Sequence, residues 1–372
     1  MKPRLHSQAI GYVLALALLL SGCQQQGTTD KEELQIEGKT ITVMDNREIA
    51  SYEKTETHAL VRLNDVRGMD WLSENELLID KENRDFKPEQ IEGSEWYPHN
   101  IYVHSLSSAV QTPLIPANEN QGYAQASPDR TKIFYKTFSL QSNTGQGHIL
   151  DIPSGRITTY TDIDAMTIDN GRWVDNDSIV YGTIDGKLYL ADSARSSARM
   201  LVDTKIPFAN NIAYLDDQVI YSSLKGDLMS NSLIDDPAAF KIDNVVWMVP
   251  SPDEQRLAIV RKISSGEAEL IITDMQGNVL QAIAQDTQIY GTAWSPDGNK
   301  LAYAGITSNG TVRGVYVADA STGLSSPLSL DIKFIADPLR WNPTGNRLMV
   351  SATQTDEQRN RNRFITYLVR IS

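Results

Sequence analysis

Cysteine, histidine and basic charge are all scarce in this chain of 372 residues, and each scarcity excludes a class of function. The only cysteine is Cys23, so there is no disulfide framework and no cysteine-rich metal centre to expect. Past the first 22 residues the histidines are His58, His99, His104 and His148. The closest two, His99 and His104, are five apart, a poor spacing for metal ligation, and no metal site is expected. Asp162, Asp164, Asp169, Asp175 and Asp177 form an acid-rich stretch, but without the Asp-x-Asp-x-Asp-Gly order of a calcium loop they read as solvated turns. Lys and Arg number 34 against 47 Asp and Glu, a formal net charge of -13. Nucleic acid is therefore not an expected partner, because phosphate binding needs a basic face. Broad electrostatic adhesion to anionic lipid is excluded on the same ground. There is no Gly-x-Ser-x-Gly elbow, no His-Glu-x-x-His and no phosphate loop. On these absences the chain is expected to be non-catalytic and to carry no cofactor.

What is present begins at the front. Lys2 and Arg4 precede an apolar run, Ile10 to Leu20, of 11 residues. A membrane-spanning helix needs about 20 residues, whereas a run this short fits the hydrophobic region of a signal peptide. It ends in Leu20-Ser21-Gly22-Cys23. These residues resemble the lipobox of bacterial lipoproteins, which implies cleavage before Cys23 and lipidation of its sulfur. The resulting reading is a signal peptide over 1–22, a polar tether over 23–38, and attachment to the extracytoplasmic face of a cell membrane. Gln24 in place of Asp leaves the outer membrane open if the owner is Gram-negative. Loss of Lys2 and Arg4 with the signal peptide takes the charge from -13 to near -15.

Over 39–372 a phrase recurs. Its fullest copy is Trp294-Ser295-Pro296-Asp297-Gly298-Asn299-Lys300-Leu301-Ala302-Tyr303, with relatives at Ser127-Pro128-Asp129, Ser251-Pro252-Asp253 and Trp341-Asn342-Pro343-Thr344-Gly345. Each reads as strand, tight turn, strand, because proline pre-sets φ and glycine accepts a positive φ. Aligning on Trp294 gives seven anchors: Trp71, Ala126, Trp173, Tyr214, Pro250, Trp294 and Trp341. Their separations match propeller blade lengths. Asp185-Gly186 and Lys225-Gly226 add hairpin turns in the weaker copies. The expected fold is all-β, a single β-propeller of four-stranded blades, seven in number, with six as the alternative. The last copy shows three strands, so Ile41–Met44 or Ala59–Leu63 is expected to supply the fourth and close the ring. The anchor tryptophans are expected to pack in the core.

These phrases resemble the TolB-like, or WD40-like (PD40), propeller repeats. The resemblance covers most of 60–372 and is strongest at 292–323 and 339–350. It implies the fold. It does not imply the Tol–Pal role, because TolB carries an α/β domain ahead of its propeller and is not lipidated.

Loops between second and third strands are uneven, and long loops on a rigid scaffold commonly carry binding. The insert Lys81 to Asn100 holds Phe86, Trp96, Tyr97 and His99; the loop of the last copy holds Arg359, Arg361 and Arg363. These residues are the candidate partner-binding set, with Cys23 as the lipidation site. The functional expectation is a membrane-anchored lipoprotein whose propeller is a protein-interaction or sensing scaffold with an envelope protein partner. The alternative is a small-molecule or glycan-binding lipoprotein that uses the propeller channel, and after it a hydrolase or lyase.

Overall fold

The computed structural model describes residues 31–36, 39–44 and 57–371, apart from 92, 140–141, 164, 234–239, 329, 331 and 357–360. The signal peptide, Cys23 and Arg359 lie outside the described residues. The chain divides into two compact units, Met1–Lys54 and Thr55–Ser372. In the first, Lys31–Ile36 and Lys39–Met44 pair as an antiparallel hairpin, so the stretch read as a polar tether holds a strand of its own.

The second unit is a β-propeller, all-β among its described residues. Six blades have the order first–second–third–fourth strand from the inside outward. The innermost strands are Arg67–Ser73, Asn120–Ala126, Arg172–Trp173, Asn210–Leu215, Val245–Pro250 and Gln288–Trp294. The seventh blade starts at Arg340–Trp341 and continues through Arg347–Asp356 and Arg361–Ile371. Its outermost strand is Thr57–Asn64, antiparallel to Arg361–Ile371. The seven-blade reading and the closing N-terminal strand both hold. Six blades does not.

Every anchor residue lies on an innermost strand next to the first turn. The recurring phrase has a physical reason. The Ser295 hydroxyl donates to Asp297 and accepts the Lys300 N–H at 2.8 Å, closing the turn between strands. Ser127 and Ser251 do the same with Asp129 and Asp253. Gly298 and Gly345 take positive φ at 70° and 71°, and Arg130 and Glu254 are forced to 63° and 59° at the same place in copies that lack glycine.

The anchor tryptophans do more than fill volume. Trp71 Nε1 donates to the Arg340 carbonyl at 3.1 Å, Trp173 to Gln125 at 3.0 Å, Trp294 to Val249 at 3.0 Å and Trp341 to Ala293 at 3.1 Å. In each case the acceptor is the residue just before the anchor of the preceding blade, with Trp71 reaching back across the ring closure. Each indole thus packs between two blades and pins one inner strand to the next. Among the described residues, separate apolar clusters repeat between neighbouring sheets, so the core is a ring of interblade layers.

Candidate functional site in the propeller channel

The innermost strands enclose a cavity of about 910 Å³. Its wall includes Pro128, Pro252 and Pro296 at the end nearest the first turns, and Asn143, Ile168 and Asp337 at the end nearest the second-to-third connections.

Two ion pairs in the wall are internally satisfied. Arg67 Nε and Nη2 donate to the two Asp337 oxygens at 2.8 and 2.6 Å, a bidentate fork that bridges the first and seventh blades. Its guanidinium lies 4.7 Å from the Tyr123 ring centroid and 5.2 Å from that of Phe364. Asp70 accepts the Trp71 and Ala126 backbone N–H groups at 2.8 and 3.0 Å, with Arg130 3.8 Å away.

Three further cations, Lys136, Arg172 and Arg340, face one remaining acid in that half of the channel, Asp169. Lys136 is fully buried, its ammonium has no hydrogen-bond partner, and it lies 4.3 Å from the Phe134 ring centroid. Burial pushes its pKa from the ordinary 10.5 down to about 7; Asp169 opposes that shift and Arg340 adds to it. Arg172 donates to the Met248 carbonyl at 3.3 Å, and burial, with Arg340 next, lowers it to about 10. Arg340 Nε donates to the Met69 carbonyl at 3.4 Å. The Trp247 indole N–H and the Thr292 hydroxyl also line the channel and, like Lys136, are covered and without partner. Tyr290 adjoins them, 6.1 Å from Trp247 between ring centroids and tilted by 49°. Among the described residues, three of the five buried side-chain polar atoms without a partner belong to this wall. Such atoms have given up water and regained nothing, at a cost of about 1–3 kcal/mol each.

Lys136 is accordingly a stability liability. Its folded pKa lies below its unfolded one, so the folded state binds less proton between pH 7 and 10.5, and stability falls as pH drops through that window. Lys136→Met is expected to be more stable than the parent below pH 7, by about 3–5 kcal/mol. The gap should shrink toward zero as pH rises to 10.5. Urea unfolding midpoints across that range check this, and a gap independent of pH would contradict it.

The residues singled out from the loops sit differently. The insert is a hairpin, Glu89–Ile91 with Ser94–Trp96. Its base is stapled by Asn83 N–H to the Pro98 carbonyl at 2.8 Å and by Asn83 Nδ2 to Asn100 Oδ1 at 2.8 Å. Phe86, Trp96 and Tyr97 are half-buried. The Tyr97 hydroxyl donates to Glu95 at 3.4 Å, and Arg84 covers its ring at 5.0 Å. Arg363 reaches Gln354 at 3.3 Å, and Arg361 occupies the start of its strand. His99 alone connects to the channel: its Nδ1 meets Asp80, which in turn lies 3.5 Å from Arg67. Burial works against a charged His99, but Asp80 outweighs it and raises the His99 pKa.

The channel cations were not found by reading loops. For Lys136 alone a signal lies in the alignment of second strands; Arg172 and Arg340 are on innermost strands. The fourth apolar-face position reads Asp80, Lys136, Gly182, Ser222, Val260, Ala304 and Ser351 around the ring, and only the first two blades put a charge there.

No protein-family model matches the chain. No curated protein matches it in sequence. Solved structures match it in fold. An oligogalacturonate lyase in complex with manganese aligns over 86% of this chain and 95% of its own, at 13% identity and a TM-score of 0.58. An oligogalacturonate lyase from Vibrio parahaemolyticus aligns over 85% and 98%, at 11% identity and 0.56. TolB from Acinetobacter baumannii aligns over 79% and 63%, at 14% identity and 0.45. At these identities the likeness shows the propeller fold. It also corrects the expectation that the chain is not an enzyme, since two proteins with this fold over nearly their whole length are lyases. The physical reason is that propeller chemistry is assembled across blades in the channel, where a search for contiguous motifs does not look. Manganese is not a natural fit to this channel: among the described residues no three His, Cys, Asp or Glu side chains converge to hold a metal ion.

Proposed function

We propose that this chain is a lipid-anchored extracytoplasmic protein whose propeller channel binds a small, saccharide-sized polar ligand. The observation that carries the reading is the cavity of about 910 Å³, within the size range of ligand sites, whose wall combines aromatic faces with covered polar groups that have no protein partner. Two proteins of the same fold are named for acting on oligogalacturonate, which favours a saccharide over other ligands of that size. Attachment through Cys23 rests on the lipobox. An envelope protein partner at Phe86, Trp96, Tyr97, His99, Arg359, Arg361 and Arg363 has weaker support, because the described aromatic side chains are half-buried and locally engaged.

The test is thermal unfolding of the propeller against a panel of acidic and neutral oligosaccharides, beside an Ala336→Trp variant that plugs the channel. A saccharide is expected to raise the midpoint of the parent and not of the plugged variant. A shift unaffected by the plug would place binding elsewhere and sink the channel reading. Unsaturated product in the same samples would add catalysis to binding. In cells, Cys23→Ala should move the protein from the membrane fraction to the soluble one.

A further inference from the structure

The channel wall has an imbalance that the fold does not need. The chain is strongly acidic, yet its cations concentrate at one place in the cavity. With Arg67 held by Asp337 and Arg130 beside Asp70, the cations left are Lys136, Arg172 and Arg340, against Asp169, while Glu254 lines the cavity from the turn that starts at Ser251. Arg340 bears electrostatically on both Lys136 and Arg172, so the three surround one region rather than being scattered round the ring. Like charges brought together out of water repel and cost stability unless an anion joins them. The Trp247 indole N–H and the Thr292 hydroxyl, in the wall of the same cavity, are also without partners.

Resting on the channel reading above, we propose that Arg172 and Arg340, with the charge of the covered Lys136 behind them, form a carboxylate subsite, so that the ligand is an acid such as a uronate. Two planar guanidinium groups suit a planar carboxylate, which takes paired hydrogen bonds from such forks. With Lys136 protonated, one acid among these three cations leaves a local excess of two positive charges, which one carboxylate reduces without overshoot. The tilted Trp247 and Tyr290 rings beside the subsite give a sugar ring an apolar face to lie on.

Binding has a proton signature. Of the cationic and phenolic groups that face the subsite, Lys136 is the one poised near neutrality: Arg172 is lowered only to about 10, and burial raises Tyr290 to about 12. Above neutrality Lys136 is mostly the free amine, and a carboxylate beside it favours the ammonium. Ligand binding at about pH 8 should therefore draw up close to one proton.

The experiment is isothermal titration calorimetry of the propeller with galacturonate, galactose and inorganic phosphate, in two buffers of different ionisation enthalpy at about pH 8. Galacturonate is expected to bind about tenfold or more tighter than galactose, with proton uptake. Lys136→Met should weaken galacturonate about tenfold and abolish the uptake. That variant is expected to be more stable than the parent, so lost binding would not be lost folding. Equal binding of galactose and galacturonate, or binding without uptake, overturns the subsite while leaving the channel reading intact. Tighter binding of phosphate overturns the carboxylate assignment. No binding of galacturonate, in a protein that a neutral saccharide stabilises, overturns the subsite alone; failure of every saccharide overturns both readings.

Discussion

A chain that starts at Asp65 is expected to lose the propeller's cooperative unfolding and to associate, whereas one that starts at Thr55 keeps the compact unit. The eight residues Thr57–Asn64 are the outermost strand of the seventh blade, laid against Arg361–Ile371. The pairs run from Thr57 with Ile371 to Asn64 with Ile365, with one register shift between Thr57 and Leu60. At about 1 kcal/mol net for each lost backbone hydrogen bond, a strand of this length contributes about 4–6 kcal/mol, which is comparable to the whole stability of many domains, about 5–15 kcal/mol. The damage goes beyond energy. Arg361–Ile371, an 11-residue strand, would become a bare edge, the kind that templates association. The same blade meets the first through covered polar groups: Thr366 Oγ1 accepts the Gly68 N–H at 2.8 Å and Ser351 Oγ donates to the Gly68 carbonyl at 2.6 Å. If the last blade loosens, these lose their geometry and the ring opens beside Arg67 and Asp337. Circular dichroism melting and light scattering of the two chains check this. A monomeric Asp65 chain with an unchanged midpoint would show that the closing strand is dispensable.

The parts of this architecture that were legible in the sequence are those written within one blade. Ser-Pro-Asp-Gly marks a turn because the serine, the aspartate and the positive φ all act within six residues, and Asp185-Gly186 marks a hairpin for the same reason. A closing strand could be foreseen at Ile41–Met44 or Ala59–Leu63 because a last copy with three strands lacks one; the second supplies it, and Ile41–Met44 pairs with Lys31–Ile36 instead. The channel was not legible, since Arg67, Lys136, Arg172 and Arg340 come from four different blades and each is one residue in an otherwise ordinary strand. Only superposition of blades shows that Lys136 stands where most of the others hold a small or apolar side chain. The loop reading gave weight to aromatic composition, but Tyr97 and Arg84 stack on each other locally, which composition cannot reveal.

Replacement of Trp71 should be the most damaging of the anchor substitutions. Trp71 is 0% exposed, against 7% for Trp294 and 6% for Trp341, and Trp173 is only half-buried. Trp71→Ala leaves a large cavity between the first and seventh blades and is expected to cost about 3–5 kcal/mol. Trp71→Phe keeps most of the apolar contact but removes the indole N–H, leaving the Arg340 carbonyl without that donor, at about 1–3 kcal/mol. Trp173→Phe should cost less than either, since its ring reaches solvent and more of its lost contact is replaced by water. Urea midpoints of the three single variants rank these costs, and equal costs for Trp71→Phe and Trp173→Phe would refute the ranking. Trp71→Phe carries a second consequence that Trp173→Phe does not. The carbonyl it releases belongs to Arg340, whose guanidinium is one of the three channel cations. A backbone that shifts there moves that charge relative to Lys136 and Arg172, so Trp71→Phe should weaken galacturonate binding several-fold more than its loss of stability alone accounts for. If binding is unchanged in a variant whose midpoint has fallen, the indole holds the blades together without placing Arg340.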